Sequence, residues 1–252
     1  MHNKTDENDP AMLSELARTG FYKKIEVKSR LAQERRALLR AREVAIKMRM
    51  NTENTIRGLL ASFGIRLPKH LQTYEQRVRK VLEGQTVLAE IIEPLLKLRT
   101  EALRQAAVLT KEMPRHARND GACRRLMTIL GVGAVSAVTF VATIDTPNRF
   151  KRSRSVGAYI GLTSRRYQSG DIDYGGRISK RGDRMLRTVL YEAANSLLCR
   201  VKSGPGQSLK DWAMALKKRT SHKKAVVALA RKLSVIMHAI WKDGTEFEAK
   251  EA

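Results

Sequence analysis

The sequence predicts a mainly α-helical fold, and three observations carry this prediction. Two long stretches, 29–63 and 71–111, repeat their apolar residues at helical spacing. Apolar residues form 42% of the 252-residue chain, which is enough for a buried core. Strand patterns are scarce, since only KKIEVK at 23–28 alternates well enough to suggest one short strand.

The first stretch predicts one long helix over 29–63 that ends near Gly64. A seven-residue repeat marks its predicted contact stripe: Leu31, Leu38, Ala45, Thr52 and Leu59. The second stretch predicts a helical run over 71–111 that Pro94 kinks or splits. Two long helices joined by a short turn favour an antiparallel helical hairpin, either a coiled coil or a two-helix part of an ordinary bundle.

The following residues predict a helical C-terminal half. The polar segment 114–122 is the expected linker, and a short helix then leads into the turn Gly131-Val132-Gly133. A second helix is expected from Ala134 to Ile144. Such a pair is similar to the helix-hairpin-helix motif, in which glycines let the backbone approach a phosphate and free amides donate to it. A helix–helix turn that uses glycine for geometry alone is the alternative.

Residues 145–182 predict little regular structure besides a short helix near Ser155–Tyr159. The basic, glycine-rich loop from Thr163 to Gly182 is of the kind that is either functional or disordered. Asp183 is the expected N-cap of a helix over 185–200. Two further helices, over 208–219 and 222–242, are expected to complete the fold. Trp212 and Trp241, one in each helix, are expected to anchor the core.

The charge balance predicts a polyanionic partner. Lysine and arginine total 49 against 25 aspartate and glutamate residues, a net charge of +24. Residues 149–190 contain eleven basic and three acidic residues, and 210–232 contain eight and one. Basic blocks separated by apolar periodic segments indicate a grooved surface for nucleic acid rather than a membrane. Aromatic residues, at 5%, do not favour a base-stacking platform of the single-strand-binding kind.

Composition also argues against several other classes of protein. Cys123 and Cys199 provide no disulfide framework and no zinc-binding spacing. The first residues lack the apolar core of a signal peptide. The longest apolar stretch, Ala134–Ile144, is too short to span a bilayer. We therefore expect a soluble intracellular protein.

Two places could carry chemistry. Asp6 and Asp9 are spaced to share one face of a helix's first turn, where carboxylates can bind Mg²⁺, although such residues more commonly cap a helix. Ser169 stands beside glycine in the basic loop and could be a nucleophile, although an ordinary turn serine is the commoner interpretation. Three arginines could hold a phosphate near it and stabilise its transition state: Arg165, Arg166 and Arg177.

The residues expected to contact nucleic acid fall into four short groups. They are Gly131 and Gly133 in the turn, Arg165 and Arg166 beside Ser169, Arg177, Lys180, Arg181 and Arg184 in GRISKRGDRMLR, and His222, Lys223 and Lys224 at the start of the last helix. Basic side chains suit phosphate contacts, and a solvated helix entry is the alternative. A single histidine in such a place is more typical of a phosphate contact or a surface residue than of a metal ligand.

Five segments, in order along the chain, resemble the DEDD-type insertion-sequence transposases. They are NKTDENDPAMLSELARTGFYKKIEVKS, LMTILGVGAVSAVTFVATI, NRFKRSRSVGAYIGLTSRRYQSG, GRISKRGDRMLRTVLYEAA and HKKAVVALARKLSVIMHAIWKDG. That group includes the pilin-gene-inverting recombinases and members guided by a bridge RNA. The resemblance covers nearly the whole chain.

The resemblance implies a three-part organisation. Residues 1–28 correspond to the C-terminal remnant of a RuvC-like domain, 29–113 to the long helical hairpin, and 114–252 to the helix-hairpin-helix transposase domain. In the family a K-T-D-x-x-D type motif carries the last two of four metal-binding carboxylates, and Asp6 and Asp9 match it. The first Asp and the Glu are expected on strands upstream of the present start. The resemblance thus implies a truncated member with half of the carboxylate site and with Mg²⁺ as cofactor.

The resemblance also implies an activity and a set of partners. Ser169 matches the family's serine nucleophile, which implies attack on a phosphodiester during DNA transposition or site-specific recombination. The implied partners are DNA, a structured guide RNA and further copies of the chain, as a dimer or tetramer joined through the helical hairpin, with no membrane. The implied location is the bacterial cytoplasm, in association with the nucleoid. The alternative is a truncated, catalytically inactive nucleic-acid-binding remnant, so whether the chain is an enzyme stays open.

Overall fold

The structure is a computed structural model that describes residues 8–22, 26–68, 73–170, 172–200 and 206–247. Within these residues the chain forms ten α-helices and one two-stranded antiparallel hairpin, which confirms the mainly α-helical prediction. The helices of the N-terminal half are α1 (Asn8–Thr19), α2 (Arg30–Ser62), α3 (Tyr74–Val81) and α4 (Thr86–Arg118). The C-terminal half contains α5 (Gly121–Leu126), α6 (Ala134–Ile144), α7 (Ser155–Tyr159), β1 (Ser164–Ser169), β2 (Ile172–Ile178), α8 (Arg184–Arg200), α9 (Gln207–Arg219) and α10 (His222–Asp243). No helix in the described part of the chain combines the length and apolar character needed to cross a membrane.

Helices α2 and α4 form an antiparallel pair. Arg42 Nε donates to Thr110 Oγ1 at 2.8 Å, and Arg99 Nε donates to Glu53 Oε1 at 2.8 Å, so the two helices run in opposite directions. The buried face of α2 consists of Ala32, Arg35, Leu39, Ala45, Thr52, Ile56 and Leu60. Only two members of the predicted stripe are therefore buried, while Leu31 is half exposed. Near the start of α2 the contact face is occupied by alanine and arginine, so hydrophobicity alone selects the wrong face.

The second predicted helical run, 71–111, is broken, but the break lies before Pro94. The chain leaves α3 at Leu82 and re-enters a helix at Thr86, and Gly84 has a φ of 80° that favours glycine. Pro94 lies inside α4 and does not split it. Pro114 lies inside α4 as well, so the predicted linker over 114–122 is wrong, and most of it is helical. Both prolines are exposed, so water can solvate the carbonyl that each leaves unpaired.

The C-terminal core is built around α6. Its residues from Ala137 to Ile144 are all buried, and α2, α4, α5 and α8 pack against it. The predicted bounds of α6 and of α7 are confirmed. Asp183 Oδ1 accepts from the Leu186 amide at 2.8 Å, which confirms the predicted cap of α8. α10 ends at Gly244, which takes the left-handed conformation common at helix C-termini.

Two neighbouring arginines of α2 join the helical hairpin to this core. Arg35 Nη1 lies 2.6 Å from Asp120 Oδ2, and Arg36 Nη2 lies 2.8 Å from Asp183 Oδ2. Each aspartate uses its other carboxyl oxygen to cap a helix, α5 for Asp120 and α8 for Asp183. Burial raises the pKa of both aspartates, but the capped amide and the arginine outweigh it and hold the pKa below its usual value. The start of α2 is thereby fixed to the starts of α5 and α8.

The glycine-rich segment before α8 is a β-hairpin, which corrects the expectation of an irregular loop. Every residue of β1 and most residues of β2 are exposed, so the strands show no alternation of buried and exposed positions. Sequence periodicity therefore gives no strand signal in this segment. The suggested strand at 23–28 is not formed by residues 26–28, and residues 23–25 lie outside the described residues.

Candidate nucleic-acid interface

A groove of about 1050 Å³ lies between the base of the β-hairpin and helices α9 and α10. Its lining residues are Leu162, Ser164, Gly176, Arg177, Ile178, Lys180, Trp212, Lys223, Lys224, Val227, Ala228, Arg231, Lys232 and Val235. Six of these described residues are basic and none is acidic. The predicted contacts Arg177 and Lys180 thus face the predicted contacts Lys223 and Lys224 across one groove. An arrangement of this kind concentrates positive potential along a channel.

Trp212 belongs to the groove rather than to the core, so its prediction as a core anchor is wrong. Its side chain is 39% exposed, and Lys232 Nζ lies 4.4 Å from the centre of its ring. Trp241 is partly buried and packs edge-on against Phe140.

The root of the hairpin is a tight crossing of two chain segments. A Cβ on Gly161 would overlap the backbone of Arg181, and a Cβ on Gly182 would overlap the Tyr159 carbonyl oxygen. Arg187 Nη1 donates to three carbonyl oxygens at this crossing, those of Ile160, Arg181 and Gly182, at 3.0, 2.8 and 3.2 Å. The crossing therefore sets the direction in which the hairpin leaves the core.

Ser169 lies at the tip of the hairpin and is exposed. It pairs with Ile172 across the turn. Arg166 binds Asp173 with an Nε–Oδ1 distance of 2.9 Å, and this hydrogen bond lowers the pKa of Asp173. Strand alternation places Arg166 and Asp173 on the face opposite Ser169. Arg165 Nη2 donates to the Ser179 carbonyl at 3.4 Å, near the root.

The two glycines of the predicted helix-hairpin-helix turn have different environments. Gly131 has a φ of 88°, and a Cβ there would lie 2.6 Å from the Ala193 carbonyl oxygen. It is therefore needed for close packing of the turn against α8. Gly133 is exposed, has no atom within 4 Å of its Cβ position, and begins α6 without a side-chain cap. Of the two, Gly133 is the one placed to let a phosphate approach the free amides of α6.

The remaining predicted contacts are distributed over other surfaces. Arg184 lies in a second cleft of about 380 Å³ between α2, α6 and α8, beside Arg36, Arg40 and Lys47. Arg181 is exposed, but its backbone belongs to the hairpin root. His222 Nε2 lies 2.9 Å from Asn195 Oδ1, so its ring is held against α8 rather than free at the surface.

The described residues do not fit a magnesium site. Asp9 is exposed in the first turn of α1, and Asp6 lies outside the described residues. No group of three or more histidine, cysteine, aspartate or glutamate residues gathers in the described ranges. Mg²⁺ usually requires several oxygen ligands held together, and the described part of the chain does not bring such ligands to one place.

Several residues of the interface give little signal in the sequence alone. Arg231 and Lys232 line the groove about two turns beyond Lys223 and Lys224 on the same face of α10. Their helical spacing is the signal that could have identified them. Arg187 lies inside the basic segment GRISKRGDRMLR, but nothing in its spacing reveals that it binds three carbonyls.

The segment that carries the β-hairpin matches a family of known proteins. Residues 123–209, from α5 to the start of α9, match the family model described as the transposase IS116/IS110/IS902 family. The chain is 32% identical over 243 residues to the transposase for insertion sequence element IS1111A of Coxiella burnetii, covering 94% of this chain and 66% of that protein. The chain belongs to the IS116/IS110/IS902 transposase family. This finding confirms the resemblance seen in the sequence.

Two more transposases are similar to this chain over most of its length. It is 29% identical over 252 residues to the putative transposase y4pF/y4sB of Sinorhizobium fredii, covering 98% of this chain and 65% of that protein. It is 28% identical over 249 residues to a probable family 20 transposase of Pseudomonas aeruginosa, covering 94% of this chain and 72% of that protein. The chain spans just under two thirds of the length of the first two relatives. Ser169, both hairpin strands and the turn at Gly131 lie inside the family-matched residues, whereas His222, Lys223 and Lys224 lie beyond them.

Proposed function

We propose that this chain is the nucleic-acid-binding and strand-joining part of an insertion-sequence transposase. The observation that carries the proposal is the groove with six basic residues at the base of the hairpin whose tip bears Ser169. The names of the relatives support the same activity, since two are called transposases for insertion sequence elements. DNA supplies the regular row of phosphates that such a groove can bind.

The groove binds the phosphate backbone through four exposed or partly exposed cations that face one another. Arg177 and Lys180 come from the hairpin side, and Lys223 and Lys224 come from the first turn of α10. Backbone contacts of this type fix the position of the duplex without reading its sequence. Their role is to place one phosphodiester near the tip of the hairpin.

Ser169 is the proposed nucleophile. Its Oγ forms an ester bond to phosphorus while the bond from phosphorus to a deoxyribose oxygen breaks, and the hydroxyl proton is transferred in net to the departing oxygen. A serine hydroxyl needs an activating base or metal for this attack. Asp173 is paired with Arg166 on the opposite face of the hairpin, so it is not placed for that role. Mg²⁺ binding by Asp6 and Asp9 stays a proposal, tested by whether an Asp6→Asn, Asp9→Asn variant loses Mg²⁺-dependent cleavage.

DNA binding by the groove is tested through its salt dependence. A variant with Arg177→Gln, Lys180→Gln, Lys223→Gln and Lys224→Gln should lower the slope of log affinity against log salt by about 0.9 for each lost phosphate contact. The matched control changes four exposed basic residues of α3 and α4, none of which lines the groove: Arg77→Gln, Lys80→Gln, Lys97→Gln and Lys111→Gln. Equal slopes for the two variants would remove the groove from the proposal.

The nucleophile is tested by trapping a covalent complex with a nicked DNA substrate on a denaturing gel. We expect the wild-type chain to form the complex and Ser169→Ala to lose it. Ser208→Ala, a serine of α9, is the matched control and should retain it. Loss in both variants would contradict the assignment of Ser169.

A second candidate function is binding of nucleic acid without strand cleavage. One observation favours it, namely that the described residues gather no carboxylate cluster fit for a metal. This candidate predicts the same salt slope as the transposase but no covalent complex, even when Mg²⁺ is supplied. The trapping experiment therefore separates the two.

Structured RNA and further copies of the chain are the remaining proposed partners. An A-form RNA backbone presents the same phosphate charge, and competition between RNA and duplex DNA for the groove measures whether both bind there. Assembly as a dimer or tetramer is supported by apolar side chains left exposed on α2 and α4: Val44, Met48, Ile91 and Leu98. Light scattering of the wild type against a Val44→Glu, Ile91→Glu variant tests this assembly.

A further inference from the structure

Two tyrosines form a stacked and uncovered pair on the β-hairpin. Tyr167 and Tyr174 occupy facing positions on the two strands. Their ring centres are 5.0 Å apart with an interplanar angle of 17°. The side chains are 43% and 57% exposed. A stacked pair in water keeps an outer ring surface free for a third planar group.

The tyrosine pair adjoins the basic groove. A Cβ on Gly176 would lie 2.8 Å from Tyr167 Cε2 and 3.6 Å from Arg165 Cβ, so the Tyr167 ring lies over this glycine. Gly176 is also a lining residue of the groove. The surface on which the rings lie is therefore continuous with the phosphate-binding cations.

The same hairpin face extends to the proposed nucleophile. Side chains two apart on a strand, and those directly opposite across an antiparallel pair, point to one face. Tyr167, Ser169, Ile172 and Tyr174 therefore share what we call the tyrosine face. Ile172 is 61% exposed at the tip, beside Ser169. An exposed surface made of two tyrosine rings and one isoleucine thus lies between the groove and the serine.

We propose that the tyrosine face binds a nucleobase that has left its stack, next to the phosphodiester at Ser169. This inference rests on the proposed function of the groove. The occupant is assigned from charge, since the cations of the adjoining groove favour a planar group that carries its own phosphates. Aromatic side chains stack on unpaired bases of any identity. The chain contains few aromatic residues, so its composition gives no sign of this site, yet two of them meet on the hairpin.

The first test uses the wild-type chain and two DNA duplexes. One duplex is fully paired, and the other carries a single bulged 2-aminopurine. We expect about tenfold tighter binding of the bulged duplex, which is the size of one base–aromatic stack. We also expect quenching of the 2-aminopurine fluorescence on binding, because stacking on a ring quenches it. Equal affinity for the two duplexes, or unchanged fluorescence, would overturn the inference without reference to any variant.

Variants locate the effect. The double substitution Tyr167→Leu, Tyr174→Leu should abolish the preference for the bulged duplex and the quenching. The matched control Tyr167→Phe, Tyr174→Phe keeps both rings and should retain them. Equal loss in the Phe and Leu variants would show that the rings do not bind the base.

Failure of this inference can be told apart from failure of the proposed function. A chain that binds the fully paired duplex with a steep salt dependence, but shows no preference for the bulge, refutes the tyrosine face alone. A chain whose affinity for both duplexes is weak and independent of salt refutes the groove, and with it the basis of the inference.

Discussion

Substitution of Gly131 by alanine separates a packing role from a phosphate-binding role for the turn before α6. Gly131 has a φ of 88°, and an added Cβ would lie 2.6 Å from the Ala193 carbonyl oxygen and 3.3 Å from Leu197 Cβ. The left-handed backbone costs a non-glycine residue about 1–2 kcal/mol. Forcing α8 away inside a packed core costs about 1–3 kcal/mol more. We therefore expect Gly131→Ala to lower the free energy of unfolding by about 2–5 kcal/mol.

The neighbouring glycine is the control for this prediction. Gly133 has a φ of −94° and open space around its Cβ position, so Gly133→Ala should cost less than about 1 kcal/mol. Urea unfolding followed by circular dichroism measures both variants. Similar losses in both would refute the reasoning. A Gly131→Ala chain that unfolds like the wild type but no longer binds DNA would show that Gly131 acts through a phosphate.

Three further predictions concern the fold that carries the interface. Asp120→Ala should lower the free energy of unfolding, measured by urea titration, by about 3 kcal/mol, because it leaves the buried Arg35 guanidinium without its carboxylate. The control is Arg30→Ala, which removes an exposed ion pair and should change the free energy of unfolding by less than about 0.5 kcal/mol. Burial lowers the pKa of His238, so its imidazole binds a proton more readily in the unfolded chain than in the folded one. Thermal stability should therefore fall as the pH drops from about 6.5 towards the pKa of the folded state. A His238→Gln chain that keeps the same pH dependence would contradict that assignment. Gly161→Ala should disrupt the root of the β-hairpin and raise the rate at which a protease cleaves the hairpin. If the variant is cleaved as slowly as the wild type, the crossing of the two chain segments can relax around the added methyl group.

The elements predicted well are those whose ends have a local chemical signal. α6 is a continuous apolar run between Gly133 and Asp145, and α8 begins directly after the capping Asp183. The hairpin carries no such signal, because its strands are exposed on both faces and are held by the cross-strand tyrosine pair. The break at Gly84 differs from the predicted one at Pro94 because an exposed position within a helix tolerates that proline.

The interface is predictable as a set of residues but not as a shape. Arg177 and Lys224 are both expected to contact phosphate, yet their positions across one groove depend on how α10 packs beside the hairpin root. Arg184 belongs to the same basic segment as Arg177, but the start of α8 turns it towards α2 instead. The placement depends on tertiary packing of distant segments, which a linear pattern of charges does not record.

Arg35 and Arg36 hold the helical hairpin of α2 and α4 to the C-terminal core near one end of α2, so the other end lies far from this attachment. From Arg36 to Leu60 the helix is about 36 Å long at 1.5 Å per residue. Among the described residues, its far end packs with α3, α4 and the turn after α2 in a separate small core, whereas its near end is fixed to the caps of α5 and α8. A sideways displacement of about 5 Å at the far end corresponds to a rotation of about 8° at the near end. We expect a rotation of this size to strain both ion pairs and, through the start of α8 and Arg187, to act on the root of the β-hairpin that bears Ser169.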